Sequence, residues 1–189
     1  MKSLKYNSFD YWFNNPKQKQ GGDNYKSQII FEGLIKNLPV PKNGFCIQLG
    51  VHTGYTLNLM KKHFGEYRTR GIDLYNVYND PCVFTIDINQ IKFNIPIAYA
   101  ENDIGSIKEC PNDRLTAFKW AIKNLIPNGL LITTSNVAND AFGESVEDIC
   151  LRNNCTWQRL DEFNDKAWAK YMNYKTVWNT ISMMLVKKI

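Results

Sequence analysis

The chain has 189 residues, of which 44% are hydrophobic and 22% are charged, and its formal net charge at pH 7 is +5. This composition is typical of one globular domain, and a chain of this length can bury a hydrophobic core without disulfide bonds or a structural metal. A membrane span is excluded, because no apolar run approaches the roughly 20 residues that a bilayer requires. The mild positive charge permits nucleic acid or an acidic substrate as a partner but requires neither.

Cysteine usage and the N-terminus predict a cytoplasmic protein. The five cysteines are odd in number, and no two have the CxxC spacing. This disfavours a disulfide scaffold or a zinc site and favours free thiols in a reducing compartment. The first residues lack the apolar core of a signal peptide. His52 and His63 are the only histidines, which excludes a multi-histidine metal centre.

Residues 1–26 are polar and aromatic, and Gly21 and Gly22 interrupt their pattern. They are interpreted as an N-terminal cap or lid, followed by a single domain over residues 27–189. The segment either packs on that domain or forms a flap on the substrate side.

Helices and strands are predicted to alternate along the domain, from hydrophobic periodicity and from glycine and proline breaks. In chain order they are a helix at 27–38, a strand at 45–49, a helix at 55–64, strands at 69–74, 83–88 and 95–101, a helix from 112 or 113 to 126, a turn at 127–129, a strand at 130–134, a helix at 141–151, a strand at 156–160, and a final strand at 176–187 preceded by a helix. Such alternation predicts an α/β sheet with helices on both faces.

The connection between the first strand and the next helix is the most informative segment. Gly50 ends an apolar run, Gly54 follows, and a helical pattern begins at once. Gly50 permits a tight reversal and the close approach of a ligand. The amides at the helix N-terminus would face the polar or anionic group that binds. A small-molecule cofactor site is therefore predicted, although one glycine loop alone is a weak signal.

Polar residues follow several predicted strands at one edge of the sheet. Ligands of open α/β sheets bind beyond the carboxyl ends of the strands, where strand order reverses. Asp73, Asp87 and the pair Asn102-Asp103 fall at that edge together with the two glycines. A carboxylate after the second strand can accept hydrogen bonds from both ribose hydroxyls, so Asp73 suits adenosine; a surface turn is the alternative.

In this order the motifs resemble those of class I S-adenosylmethionine-dependent methyltransferases. The resemblance is carried by the glycine loop, the acid within Gly71 to Leu74, the run Leu125 to Ile132 and the strand Thr180 to Lys188, and it covers roughly residues 28–189. It implies a Rossmann-like, doubly wound, three-layer sheet, mostly parallel with an antiparallel C-terminal strand, and S-adenosylmethionine as cofactor. Asn128 stands where the family pattern commonly has glycine.

The resemblance also implies a set of cofactor-binding residues, among which Asp87 resembles the family's adenine-contacting acid. Members often carry an acid at the position of Gln48. The Gln48 carbonyl oxygen can still accept a hydrogen bond from the cofactor's ammonium, without the charge attraction. The full set is Gln48, Gly50, Val51, His52, Thr53, Gly54, Asp73, Leu74, Asp87, Ile88 and Asn102.

Asp103 and His52 are the candidate catalytic residues. Asp103 is either a base for a hydroxyl substrate or a helix cap. His52 either binds the cofactor carboxylate, acts as a base, or is a loop histidine without chemistry. Some related O-methyltransferases bind a divalent metal through acids after the fourth and fifth strands, but this chain has Thr133 to Asn136 at the second place. One carboxylate is a poor cage for a hard cation, so no metal is predicted.

The predicted function is methyl transfer to an oxygen or nitrogen of an unidentified, small-molecule acceptor. The alternative is a non-catalytic methyltransferase-like domain that serves as a binding or assembly partner. Gln48, His52, the missing second metal acid and the short connections at 74–82 and 89–94 favour it, because parallel crossovers normally take a dozen or more residues. A Rossmann dehydrogenase lacks support, since GxGxxG spacing is absent. Nucleic acid is permitted but not indicated, and a homo-oligomer is compatible with the sequence.

Overall fold

A computed structural model of the protein describes residues 31–51, 54–73, 75–76, 78–100, 114–134, 146–159 and 183–189. These residues form one seven-stranded sheet flanked by helices. The strands are β1 (Cys46–Leu49), β2 (Thr69–Ile72), β3 (Val83–Phe84), β4 (Ile95–Ala100), β5 (Leu125–Thr134), β6 (Cys155–Arg159) and β7 (Met183–Lys188). The α-helices are α1 (Tyr55–Phe64), α2 (Arg114–Asn124) and α3 (Val146–Arg152), besides helical residues at 31–35 and 3₁₀ turns at Glu66–Arg68 and Ile88–Gln90.

The strand order across the sheet is β3-β2-β1-β4-β5-β7-β6. Neighbouring strands from β3 to β5 are parallel, whereas β7 is antiparallel to both β5 and β6. The predicted mostly parallel sheet with an antiparallel C-terminal strand is confirmed. From β1 the chain builds outward to β3 and then returns to the other side of β1 as β4. The strand order therefore reverses between β1 and β4, which is where doubly wound sheets bind their ligands.

Helices cover both faces of the sheet, as predicted. Successive residues of a strand point to opposite faces, so Cys46 and Ile47 of β1 belong to different cores. On the first face the buried cluster joins residues 31–35 and α1 to the sheet, and consists of Phe31, Ile35, Cys46, Met60, Phe64, Ile97, Tyr99 and Ile132. On the second face α2 and α3 pack on the sheet through residues that include Ile47, Leu49, Leu131, Ala117, Ala121, Ile122 and Ile149.

Helix α1 has the bounds that the sequence predicts. Its buried residues are spaced for one face, and they include Leu57, Met60 and Phe64. Gly54 precedes the helix at φ 73°, and Gly65 ends it at φ 94° with its N–H donating to the Lys61 carbonyl. Both are left-handed conformations that glycine adopts without the steric cost of a Cβ. Local signals in the sequence are therefore sufficient to define this helix.

The third strand is shorter than predicted. β3 contains only Val83 and Phe84, and Asp87 instead begins the 3₁₀ turn that buries Ile88. No α-helix occurs among the described residues of the connections 73–82 and 85–94. The prediction of a strand at 83–88 is wrong because the next two side chains, Thr85 and Ile86, are exposed and do not continue the sheet.

The turn predicted at 127–129 is an irregularity within a longer strand. Leu125 pairs with Ile95, and the next pair joins Leu130 to Ile97, so extra residues are accommodated between them. Asn128 adopts φ 62°. This left-handed conformation explains why the family pattern has glycine there and why asparagine is tolerated.

Several predicted segments lie outside the described residues. They are the N-terminal segment 1–26, the first residues of the helices predicted at 27–38, 112–126 and 141–151, the start of the final strand at 176–182 and the helix before it. Within the described ranges, no helix is both long and apolar enough to cross a bilayer.

Candidate functional site

The connection after β1 is a tight turn fixed by backbone hydrogen bonds. The Gly50 N–H donates to the Ile72 carbonyl at 2.8 Å, and the Gly54 N–H donates to the Val51 carbonyl at 2.9 Å. Gly50 has φ 73°, as Gly54 has, which accounts for glycine at both positions. His52 and Thr53 lie outside the described residues. The described part of the loop is thus anchored to β2 at one end and to α1 at the other.

Asp73 joins this loop to the segment that follows β2. Its Oδ2 accepts a hydrogen bond from the Val51 N–H at 2.6 Å, and its Oδ1 accepts one from the Tyr75 N–H at 3.1 Å. The residue is 4% exposed. Bonds from backbone amides to a carboxylate are charge-assisted and short, so they hold both loops in place. The predicted cofactor residues Val51 and Asp73 are therefore brought together, and the alternative of a solvated surface turn at Asp73 does not fit this burial.

Gly71 allows the loop to pack closely against β2. A Cβ at this position would lie 2.4 Å from Val51 Cγ2, 3.2 Å from Leu57 Cδ2 and 3.3 Å from Val83 Cγ2. No larger side chain fits without displacing Val51, whose N–H bonds Asp73. The sequence analysis gave Gly71 no role of its own. A glycine inside a strand pattern is nevertheless a known sign of a close approach to another backbone or side chain.

Gln48 presents a buried acceptor on the same loop. The side chain is 1% exposed, and its Nε2 donates to the Gly50 carbonyl at 2.8 Å. Its Oε1 is buried and has no hydrogen-bond partner among the described residues. Leaving such an acceptor unsatisfied costs about 1–3 kcal/mol, which a donor on a bound ligand would recover. Gln48 therefore offers a buried acceptor to a donor on a ligand, and its role toward the cofactor stays a prediction.

The space beside Gly54 at the N-terminus of α1 is open. Among the described residues, the atom nearest to a Cβ built on Gly54 is Asn58 Nδ2 at 3.9 Å. The same Nδ2 donates to the Gly54 carbonyl at 2.7 Å, which fixes the first turn of the helix. The N–H groups at a helix N-terminus and the helix dipole favour a polar or anionic group at such an end.

Asp87 and Ile88 have structural roles. Asp87 Oδ1 accepts a hydrogen bond from the Asn89 N–H at 2.9 Å and so begins the 3₁₀ turn. Ile88 is fully buried in the core on the second face of the sheet. The contacts that both residues make within the fold therefore explain them without a ligand. Leu74, Asn102 and Asp103 lie outside the described residues.

A partly buried ion pair holds the segment after β2 against α1. Lys61 Nζ lies 2.5 Å from Asp80 Oδ2, and the two side chains are 12% and 17% exposed. Burial alone would lower the pKa of Lys61, but the hydrogen bond and the charge of Asp80 outweigh it and raise that pKa. Asn76 closes the segment by bonding the backbone N–H and C=O of Asp80. These contacts take the place of a crossover helix, and the sequence analysis did not identify them.

A groove of about 510 Å³ lies between α1 and this segment. Its lining is mixed in charge, and Lys61 and Asp80 in it bond each other. No residue of the groove was predicted as a site residue. The groove lies beside the connection from β2 to β3, and it carries no catalytic group that the predicted chemistry requires.

The end of β5 offers a hydroxyl where metal-binding relatives have acids. Thr133 is fully buried, and no residue that the structure describes bonds its Oγ1. Among the described residues, no group of three or more His, Cys, Asp and Glu side chains could hold a metal ion. The described cysteines Cys46, Cys82, Cys150 and Cys155 are all free and buried. Burial raises the pKa of both Cys46 and Cys150 to about 12, so these thiols are inert rather than nucleophilic at neutral pH.

No sequence-family model matches the chain, and no curated protein sequence is significantly similar to it. Solved structures are similar in fold. The N-methyltransferase NodS from Bradyrhizobium japonicum WM9, in complex with S-adenosyl-l-homocysteine, has a TM-score of 0.59 at 14% identity, over 97% of this chain and 98% of that one. The putative methyltransferase in the Haloferax volcanii complex with the Trm112 methyltransferase activator has a TM-score of 0.59 at 11% identity, over 96% and 97%.

A third similar structure is the geranyl diphosphate C-methyltransferase from Streptomyces coelicolor A3(2), in complex with Mg²⁺, geranyl diphosphate and S-adenosyl-L-homocysteine. Its TM-score is 0.51 at 10% identity, and the match covers 89% of this chain and 84% of that one. Two of the three matched structures thus contain the demethylated form of S-adenosylmethionine. These likenesses agree with the strand order, the reversal at β1 and β4 and the glycine turn beside it. The chain has the fold of class I S-adenosylmethionine-dependent methyltransferases.

Proposed function

We propose that the protein binds S-adenosylmethionine at the glycine turn and transfers its methyl group to an oxygen or nitrogen of a small-molecule acceptor. The observation that carries the proposal is the position of Asp73. Its buried carboxylate joins the loops after β1 and β2 at the reversal of strand order. Its place at this edge, where doubly wound sheets bind their ligands, supports Asp73 as the acceptor for the hydroxyls of an adenosine ribose.

The residues around this point are chemically suited to the cofactor. Gln48 offers a buried acceptor without a partner, and the space beside Gly54 is open at a helix N-terminus. In the proposal, Asp73 binds the ribose and Gln48 binds the amino-acid portion. The turn from Gly50 to Gly54, including Val51, His52 and Thr53, lies against the cofactor. Leu74, Asp87, Ile88 and Asn102 complete the proposed set, of which Asp87 and Ile88 have the weakest support because both already serve the fold.

The bound cofactor would supply an electrophilic methyl group on a sulfonium. Transfer would need an acceptor lone pair aligned with the methyl carbon, with the electrons of the carbon–sulfur bond leaving on sulfur and the acceptor's proton passing to a base. The protein's main contribution would be alignment, with the loops that Asp73 joins fixing one reactant. Asp103 and His52 are the proposed groups for removing the proton.

The acceptor is proposed to be a small molecule by analogy with the neighbours' printed names. NodS is an N-methyltransferase, and the Streptomyces coelicolor enzyme methylates carbon and was solved with geranyl diphosphate. Methyl transfer to different atoms therefore occurs on this fold.

A second candidate function is that of a non-catalytic partner with a methyltransferase fold. Two observations favour it: the described residues of both connections around β3 contain no α-helix, and a threonine occupies the end of β5. The Haloferax volcanii neighbour was solved with an activator protein, so partnership with another chain occurs on this fold.

Titration calorimetry tests the cofactor site directly. We expect micromolar binding of S-adenosylmethionine and S-adenosylhomocysteine by the protein, and loss of both in Asp73→Ala. Asp148→Ala is the matched control, because it removes the same carboxylate from an exposed position on α3. Circular dichroism should show that both variants are folded. Failure of the folded, unaltered protein to bind either ligand would refute the enzymatic proposal and favour the non-catalytic one.

A further inference from the structure

Basic residues that are scattered along the chain come together at the edge of the sheet opposite the glycine turn. The parallel strands begin at this edge, and the antiparallel strand β7 ends there. The segments that lead into β1, β2, β4, β5 and β6 each contain one lysine or arginine, and they are residues 42–45, 65–68, 91–94, 121–124 and 151–154. The exposed basic residues of this edge, which we call the basic row, are Lys42, Lys92, Lys123, Arg152 and Lys187.

Backbone contacts hold the neighbouring segments of this edge together. The Phe45 N–H before β1 donates to the Asn94 carbonyl before β4 at 3.0 Å. The Phe93 N–H donates in turn to Asn124 Oδ1 before β5 at 3.1 Å. β7 continues the edge, because it pairs with β5 on one side and with β6 on the other. Neighbouring strands lie about 4.8 Å apart, so the edge extends about 24 Å from β2 to β6.

The edge carries little negative charge. In the five leading segments, all of which the structure describes, Glu66 is the one acidic residue, and its carboxylate lies 3.7 Å from Lys61 Nζ. Cations that lie side by side without acids repel one another, and their summed field attracts an anionic partner. The phosphates of a nucleic acid strand follow one another along a line, so several of them can contact the basic row at once.

An exposed aromatic ring lies at the β2 end of this edge. Tyr67 is 69% exposed, and the guanidinium carbon of Arg68 lies 5.1 Å from the centroid of its ring. This cation–π contact orients a ring that the core does not hold. Proteins that bind single strands combine a basic groove with aromatic rings on which bases stack, whereas the bases of a duplex already stack on one another. The ring therefore favours a single strand over a double helix.

An anionic bilayer fits the edge less well. Val40 and Leu151 are also exposed there, by 54% and 72%. Proteins that lie on a bilayer bury a continuous apolar face in it. Val40 precedes β1 and Leu151 precedes β6, so three strands of the sheet separate the two side chains and they form no such face.

We propose that the basic row and Tyr67 form a binding surface for single-stranded nucleic acid, with backbone phosphates on the row and a base stacked on Tyr67. The six residues of β4, at about 3.3 Å each, separate this surface from the glycine turn by about 20 Å. The nucleotides on the surface are therefore too far away to accept the methyl group. The surface tethers the protein to nucleic acid, and it does not depend on the proposed function.

The salt dependence of binding tests the basic row. The probe is a fluorescent oligouridylate of about 20 nucleotides, and its binding is measured by anisotropy at several salt concentrations. Five phosphate contacts predict a slope of about −3.5 for the logarithm of the association constant against that of the salt concentration. Lys92→Gln/Lys123→Gln should reduce the magnitude of this slope by about 1.4. Lys62→Gln/Lys119→Gln, the matched control at exposed positions on α1 and α2, should leave it unchanged.

A second pair of variants tests the stacking. Tyr67→Ala should weaken oligouridylate binding at least about fivefold. Tyr75→Ala is its control, because it removes a ring that is 58% exposed at the opposite edge, and it should leave this binding unchanged. Circular dichroism checks that every variant is folded.

Two further probes separate the classes of partner, namely inorganic polyphosphate and vesicles of phosphatidylserine and phosphatidylcholine. We expect polyphosphate to bind more weakly than oligouridylate and equally well to the unaltered protein and to Tyr67→Ala. Vesicle binding without oligouridylate binding would overturn the proposal in favour of a membrane surface. Absence of oligouridylate binding, equal losses in both lysine pairs, or no effect of Tyr67→Ala would also overturn it. None of these probes contains the cofactor, so the results test this surface separately from the cofactor site.

Discussion

Substitution of Gly71 by alanine tests the packing that holds the site together. The added Cβ would lie 2.4 Å from Val51 Cγ2, far inside van der Waals contact. Overpacking of this kind costs about 1–3 kcal/mol. Alanine is otherwise better than glycine in a strand by about 0.5–1 kcal/mol, because glycine loses more backbone entropy on folding. The net loss expected for Gly71→Ala is therefore about 0–2.5 kcal/mol.

A second substitution should relieve this clash. Val51→Ala removes the methyl group that the new Cβ would meet, so the double variant Gly71→Ala/Val51→Ala should be more stable than the sum of the single losses. A shift of 1 kcal/mol corresponds to about 2–4 °C in the melting temperature of a domain of this size. Urea denaturation and thermal melting of the four proteins would measure the coupling.

Binding should respond as well, because the displaced residue takes part in the site. Val51 N–H donates to Asp73 Oδ2 at 2.6 Å, so moving Val51 disturbs the carboxylate proposed to hold the ribose. We expect Gly71→Ala to weaken S-adenosylhomocysteine binding and the double variant to recover part of it. Strict additivity of the stability changes, or a higher melting temperature for Gly71→Ala alone, would refute the packing argument.

Three further expectations concern stability. Lys61→Met should lower the free energy of unfolding by about 2–4 kcal/mol in urea denaturation, because it leaves the nearly buried carboxylate of Asp80 without its cation; a loss below about 0.5 kcal/mol would count against the ion pair. Burial raises the pKa of the Cys46 thiol from 9.0 to about 12, so the folded state retains a proton that the unfolded state releases above pH 9. The free energy of unfolding should therefore fall between pH 9 and 12, by up to about 1.4 kcal/mol per pH unit from this thiol. Cys46→Ala should make this fall less steep. An unchanged slope of stability against pH in that variant would contradict the burial effect. Asn128 has φ 62°, so Asn128→Gly should leave the melting temperature equal or higher, whereas Asn128→Val should destabilise the protein by about 1–2 kcal/mol. Equal stability of the two variants would exclude backbone strain at this position.

The glycines of the candidate site could be predicted because their backbone φ angles strongly favour glycine. Gly50 and Gly54 both adopt φ 73°, which only glycine does without strain, and the sequence analysis selected both. Asp73 was predicted from its place after an apolar strand, and it lies at the carboxyl end of β2 as expected. Its bonds to Val51 and Tyr75 were not predictable, because they depend on how two loops distant in sequence meet.

Predictions were least successful where a segment is held by distant partners. Ile86 and Ile88 resemble strand residues in the sequence, yet one is 38% exposed and the other is buried outside any strand. Among the described strands, the edge strand β3 pairs only with β2, so few hydrogen bonds extend it. Lys61 and Asp80, which are 19 positions apart in the chain, hold this connection by their ion pair. The local hydrophobic periodicity could not decide whether the connection contains a helix.

The sequence by itself determined the alternation of helices and strands, the positions of the glycine turns and the acid after β2. These features follow from hydrophobic periodicity and from the φ angles that glycine permits, which are local properties of the chain. The tertiary structure alone decided the strand order, the joining of two loops by Asp73, the close packing at Gly71 and the unpaired acceptor of Gln48. These depend on which segments become neighbours once the sheet forms, and that is set by packing between residues far apart in the chain.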